Sequence, residues 1–228
     1  GEGSAILVGD LALSWADEML LTSGLSNDQL LRAKTIYDIM RTELMSGQYL
    51  DLLEQVRGGI THERAETVIR FKSAKYTIER PLHLGAAIAG ANPELNQVLS
   101  DYGLALGEAF QLRDDLLGVF GDSSVTGKPA GDDLREGKQT MLIAFANTNA
   151  NVEDKKYLSE NLGDPDLSSD TITKLQGILV SCGAQDFVEN RISDYLAKSL
   201  SALDSLSSAS EPKSALTELA ILATKRTA

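Results

Sequence analysis

Cysteine occurs once in this chain of 228 residues, as Cys182. One cysteine cannot close an intramolecular disulfide, so the fold owes nothing to oxidation and a reducing cytoplasm is the natural setting. The role expected of Cys182 is that of a small buried apolar side chain. Long apolar runs are also missing: no stretch approaches the roughly 18 consecutive apolar residues that would span a bilayer. The opening "GEGSAILVGDLALSWADEML" has no basic leader of a secretory signal and no initiator Met, so the chain reads as starting within a longer protein. Basic charge is scarce. With 21 Lys and Arg against 33 Asp and Glu, the formal net charge is −12. That balance argues against nucleic acid or an anionic membrane surface as the main partner. An anionic ligand would need the field inverted locally by lysines, arginines or metal ions. Alternating apolar and polar runs rich in β-branched residues are lacking, and so are fixed-period repeats and low-complexity tracts.

What is present is helical spacing nearly everywhere, which predicts an all-α chain forming one domain over residues 1–228. Residues 4–22 make a first helix with Leu7, Leu11 and Trp15 on its buried face. A second, capped by Ser26 or Asn27, runs to the Gly58-Gly59 break. Gly47 inside it costs about 1 kcal/mol relative to Ala, so close packing is expected there. A third restarts at Thr61 and ends at Gly90, kinked by Pro81. A fourth has Asn92 as N-cap and Pro93 at its first position, and it runs to 120. Residues 121–138 hold four glycines and one proline and read as a loop. Helices then follow at about 138–149, 152–162, 168–181, 184–206 and 212–226.

The chemistry sits in "FQLRDDLLGVFGD", residues 110–122. At 100° per residue, Gln111, Asp114, Asp115 and Gly118 share one helix face, set among Phe110, Leu112, Leu116, Leu117, Val119 and Phe120. Taken alone, an Asp-Asp pair is an exposed acidic edge. In a central helix the two carboxylates instead enter an apolar cavity and require counter-charge. The following loop supplies candidates in Lys128, Arg135 and Lys138, with Asp132 and Asp133 between them. Glycines let backbone amides approach an anion, and lysine and arginine supply charge for phosphate. Carboxylates do not bind phosphate directly, but they hold Mg²⁺, whose coordination is completed by waters and substrate phosphates. The combination is the composition of a Mg²⁺-diphosphate site.

These residues resemble the trans-polyprenyl (isoprenyl) diphosphate synthases. "FQLRDDLLGVFGD" is similar to their second aspartate-rich motif and "VTGKPAGDDLREGKQT" to the loop after it. "MSGQYLDL" is similar to their Gly-Gln-x-x-Asp element, "FKSAKYTIERPLHLGA" to their Lys-Thr/Ser element, and "GEGSAILVGDLAL" to the helix after their first aspartate-rich region. The collinear match runs from residue 1 to about 145. It implies an isoprenoid-synthase-type helical bundle around a central cavity, here without its N-terminal helices, and so the C-terminal two-thirds of a synthase.

The implied activity is Mg²⁺-dependent head-to-tail condensation of isopentenyl diphosphate with an allylic prenyl diphosphate. The product would be short, such as farnesyl or geranylgeranyl diphosphate, and the enzyme a cytoplasmic homodimer. Carried over by position, Asp114, Asp115 and Asp132 are metal ligands. Lys72, Lys128 and Lys138 hold the allylic diphosphate. Gln48 and Gln111 line the site, Ser73 and Thr77 face the nascent cation, and Phe110 sits near the isopentenyl group. Two departures stand out. The fifth position of the second motif, commonly Asp, is Gly118, and the first aspartate-rich motif is absent, so the chain alone is expected to be inactive. Two alternatives are a non-catalytic subunit of a heteromeric synthase and a terpene cyclase. The second fits poorly with an aromatic content of 5%.

Overall fold

The computed structural model describes residues 1–122, 127, 131–206 and 211–226, and among them all regular structure is helical. Helix α1 spans Glu2–Leu21 and α2 Asn27–Arg57. Ser26 caps α2 through a reciprocal box: its hydroxyl accepts from Gln29 N, and its own N–H donates to Gln29 Oε1 at 3.1 Å. The expected inward face of α1 needs correction. Leu7, Leu11 and Trp15 are all exposed, and no residue of α1 is buried. The helix packs only lightly on α2, held by Arg41 Nη1 donating to Asp17 at 2.6 Å, and its apolar stripe points away from the core.

The third expected helix is three elements: α3 (His62–Val68), a π-helical segment (Ile69–Glu79) and α4 (Arg80–Ala89). Pro81 lies where the π-helical segment passes directly into α4, just after the wide i→i+5 turns. Its ring removes one backbone donor from an otherwise continuous helical stretch. Helix α5 (Pro93–Phe120) begins as expected, with Leu95 N donating to the Asn92 side chain at 2.9 Å. A short helix α6 (Asp132–Arg135) lies within the segment expected to be loop. It is followed by α7 (Met141–Asn149), which starts later than the expected 138, then α8 (Val152–Asn161) and α9 (Ser169–Ser181). The last two are α10 (Ala184–Asp204) and α11 (Glu211–Lys225).

Helix α5 is the axis of the molecule. Twelve of its 28 residues are buried, and it packs chiefly between α10 and the π-helical segment. Its lower half, with Leu112, Leu116 and Val119, joins the larger core around Leu142, Leu175, Leu179 and Val188. Cys182 lies at that core's edge, partly rather than fully buried. Its upper half, with Tyr102 and Leu106, meets Leu203, Ala220 and Ala223 in a second cluster. There the Tyr102 hydroxyl donates to Leu216 O at 2.8 Å, and burial pushes its pKa up to about 12. These contacts bring α11 back along α5 toward the aspartate pair. No helix among the described residues is long and apolar enough to cross a membrane.

Candidate active site

Helices α2, α3 and α5, the π-helical segment and residues 138–141 converge on one pocket, and a glycine sets the distance between α2 and the π-helical segment. Glu43, Gly47 and Asp51 follow one another at i, i+4 and i+8 on one face of α2. A β-carbon on Gly47 would lie 2.3 Å from Lys72 N and 2.5 Å from Phe71 C. Only glycine therefore lets the α2 backbone touch the π-helical segment, which is the close packing expected of it. One turn along, Lys72 Nζ donates to Asp51 Oδ2 at 2.5 Å. The next residue, Ser73, donates its hydroxyl to Gln111 Oε1 at 2.5 Å, and Gln111 Nε2 donates to Asp115 Oδ1 at 2.8 Å. The serine thus fixes which end of the Gln111 amide faces the aspartate.

The resulting pocket encloses about 140 Å³ and is lined by Asp51, Lys72, Ser73, Gln111, Asp114, Asp115, Lys138, Gln139 and Thr140, with Ala65, Val68, Ile69 and Met141 as its apolar wall. It has room for several waters or an anion. Asp115 lies on the buried side. Burial pushes its pKa up against the Gln111 hydrogen bond, and the charges of Asp133 and Asp114 push it further, to about 7.

Asp133 arrives from α6. A β-carbon on Gly118 would lie 2.1 Å from Asp133 Oδ2, so the loop carboxylate rests where a side chain at 118 would begin. It pairs with Lys138, whose Nζ also lies 3.0 Å from Glu136. Burial opposes the charge on Lys138, but the Asp133 hydrogen bond and charge outweigh it and raise its pKa. Asp114, at the mouth, accepts from Arg226 Nη2 at 2.7 Å.

Of the residues expected at the site, the pocket gathers Lys72, Ser73, Gln111, Asp114, Asp115 and Lys138. Gln48 is exposed and outside it. The residue of the same element that lines the pocket is Asp51, one helical turn past Gly47. Thr77 and Phe110 also fall outside the lining. Phe110 packs with the upper cluster and lies under the Arg226 guanidinium, 4.2 Å from its ring centroid. Asp132 is displaced in favour of its neighbour: in the single turn of α6, successive side chains diverge by about 100°, and Asp133 is the one against Gly118. Lys128 lies outside the described residues. Asp51 and Asp133 belong to expected elements but carried no expected role of their own, and Arg226 was not anticipated. The i+4 spacing from Gly47 could have singled out Asp51, whereas nothing local singles out Arg226.

Among the described residues no three or more His, Cys, Asp or Glu side chains gather in a metal-holding arrangement. The cause is visible in the pairing, because Asp114 is turned to Arg226, Asp133 to Lys138 and Asp51 to Lys72. The donor set nonetheless suits a hard cation. All the acids are oxygen donors, and the ionisation of buried Asp115 is opposed by burial and by two neighbouring carboxylates, which a divalent cation would relieve.

A sequence profile of polyprenyl synthetases matches residues 1–179. The chain belongs to the polyprenyl synthetase family. Among polyprenyl synthetases of known structure, geranylgeranyl pyrophosphate synthase from Corynebacterium glutamicum, complexed with isoprenyl diphosphate and magnesium, superposes with a TM-score of 0.94 at 46% identity. It covers 97% of this chain and 62% of that one. A polyprenyl synthase from Caulobacter crescentus, complexed with calcium and isoprenyl diphosphate, superposes with a TM-score of 0.88 at 28% identity, covering 100% of this chain and 67% of that one. Geranylfarnesyl diphosphate synthase of Aeropyrum pernix is 33% identical over 201 residues, 87% of this chain and 62% of the relative. The chain therefore spans less than two thirds of the length of several relatives it matches.

Proposed function

We propose that this chain carries the allylic-diphosphate half of a trans-prenyltransferase active site, in which isopentenyl diphosphate is joined head-to-tail to an allylic diphosphate. The observation that carries this reading is the meeting of Lys72 and Lys138 with Asp114, Asp115 and Asp51 in one pocket backed by an apolar wall. A site for a neutral ligand has no use for so many opposed charges, whereas a diphosphate with its counter-cation takes both signs.

On this reading Lys72 and Lys138 exchange their carboxylate partners for phosphate oxygens and stabilise the charge left on the diphosphate as the allylic C–O bond breaks. Ser73 and Gln111 hold the Asp115 carboxylate in orientation through their hydrogen-bond chain. Ala65, Val68, Ile69 and Met141 keep water from the carbocation, and the released diphosphate accepts the proton lost in forming the new double bond. Asp114 and Asp115, with Asp133 beside them, would hold Mg²⁺, which when bound supplies Lewis-acid charge to the diphosphate oxygens. A C₁₅ or C₂₀ product, a homodimer and a cytoplasmic location remain part of the proposal. The cyclase alternative loses ground, since among the described residues no aromatic side chain lines the pocket.

The test is binding and turnover together: titration of an allylic diphosphate with and without Mg²⁺, and incorporation of labelled isopentenyl diphosphate. Mg²⁺-dependent binding, weakened at least about tenfold by Lys72→Ala or Asp114→Ala, is the expected result. Binding indifferent to Mg²⁺ and to both substitutions refutes the assignment.

A further inference from the structure

The last helix ends on the aspartate pair. Arg226 directly follows α11, and its Nη2 donates to Asp114 Oδ1 at 2.7 Å while its guanidinium lies 4.2 Å from the centroid of the Phe110 ring. Phe110 and Asp114 are one turn apart on α5, so ring face and carboxylate form a seat for a cation from two sides. The guanidinium uses that seat incompletely, because its Nε is buried without a hydrogen-bond partner. Two residues before it, Thr224 O accepts from Arg113 Nε at 2.8 Å, and Arg113 is held bidentately by Glu189 at 2.7 Å on each arm. The end of α11 is thus anchored to α5 and α10 independently of Arg226. Helix position does not require the Asp114 contact, so the contact is free to exchange.

We propose that Arg226 is a positioning residue that occupies Asp114 as a counter-cation and competes with the divalent metal for the same carboxylate, so that metal entry releases the Arg226 guanidinium from the site mouth. The inference rests on the reading of Asp114 as a metal ligand. Its physical basis is electrostatic: a guanidinium held 2.7 Å from Asp114 Oδ1 neutralises that carboxylate and repels a divalent cation arriving at it, so each weakens the other's hold. Asp114 is the member of the pair able to make the exchange. Its side chain is 48% exposed, whereas Asp115 is buried and held by Gln111.

The experiment is calorimetric titration of MgCl₂ into the 228-residue protein, its Arg226→Gln and Arg226→Lys variants and Asp114→Asn. Arg226→Gln is expected to bind Mg²⁺ about fivefold more tightly than the parent, the scale of a half-exposed ion pair, with Arg226→Lys close to the parent. The difference should shrink as ionic strength rises. A merely structural arginine predicts something else: a lower melting temperature for Arg226→Gln with unchanged Mg²⁺ affinity. That outcome, with affinity still lost in Asp114→Asn, overturns the competition and leaves the metal reading standing. Affinity that Asp114→Asn does not weaken overturns both.

Discussion

Two polar clusters lie on the same face of α2, four residues to either side of Gly47, and they have opposite characters. The first, around Glu43, is closed. Glu43 accepts from Lys75 Nζ at 2.8 Å and from Arg80 Nε and Nη2 at 2.7 and 2.8 Å. Arg80 Nη1 donates to His83 Nδ1 at 3.0 Å; since a guanidinium has no acceptor, His83 carries its proton on Nε2, facing Ser100 Oγ at 3.0 Å. Ser100 in turn donates to Glu79 Oε1 at 3.0 Å. Two cations balance two carboxylates, and although burial opposes ionisation of Glu43, the bonds from Arg80 and Lys75 hold its pKa below the ordinary value. The second cluster, around Asp51 and the pair, carries more acid than its cations balance, and buried Asp115 is driven up toward neutrality. A balanced network ties helices together. An unbalanced one in a pocket is arranged for something that arrives from outside.

Gly47→Ala should damage both clusters at once. The added methyl meets backbone rather than a movable side chain, so α2 must shift from the π-helical segment. The expected loss is about 4 kcal/mol in denaturant unfolding, at the upper end of single substitutions. Arg80→Ala should break the closed cluster alone. Leaving Glu43 with one cation costs roughly 3 kcal/mol, and Mg²⁺-dependent ligand binding by the folded fraction should be retained.

Asp115→Asn should do the reverse, stabilising the protein while abolishing its response to Mg²⁺. A carboxyl whose folded pKa is raised penalises folding progressively as pH climbs from its ordinary value of 3.8 to about 7, and by a constant amount above that. The variant should therefore match the parent near pH 4 and exceed it at pH 8, by on the order of 2 kcal/mol. Melting temperatures across that range check both the sign and the window. The smallest effect is expected of Gly118→Ala, roughly 1 kcal/mol, because it meets the movable Asp133 carboxylate. Its sharper signature is a lowered pKa of Lys138, followed by NMR, as the displaced Asp133 withdraws.

The contrast between the clusters also marks what the sequence disclosed. Features set within a turn or two were legible: the Asn92 and Ser26 caps, the shared face of Gln111, Asp114 and Asp115, and a glycine in α2 that demanded close packing. The π-helical segment was not, because "FKSAKYTIE" carries the same apolar spacing whether each turn closes over four residues or five. Which of Asp132 and Asp133 faces the pair was not legible, since a single helical turn within a glycine-rich stretch leaves no periodicity to read. The apolar stripe of α1 was read as inward because spacing reports that a face is apolar, not that a partner covers it. Arg226 is separated from Asp114 by more than a hundred residues, and only the packing of α11 along α5 brings them together. The absent carboxylate at Gly118 looked like a deficit in the chain, whereas in the fold it is the space that Asp133 fills.

The most direct measurement is a calorimetric titration of inorganic diphosphate into the protein with and without Mg²⁺, repeated on Lys72→Ala and on Arg80→Ala. If the unbalanced cluster is a metal-diphosphate clamp, diphosphate binds only with Mg²⁺, Lys72→Ala weakens it at least about tenfold, and Arg80→Ala leaves it intact in the folded protein. Diphosphate binding that needs no Mg²⁺ and survives Lys72→Ala would contradict the account.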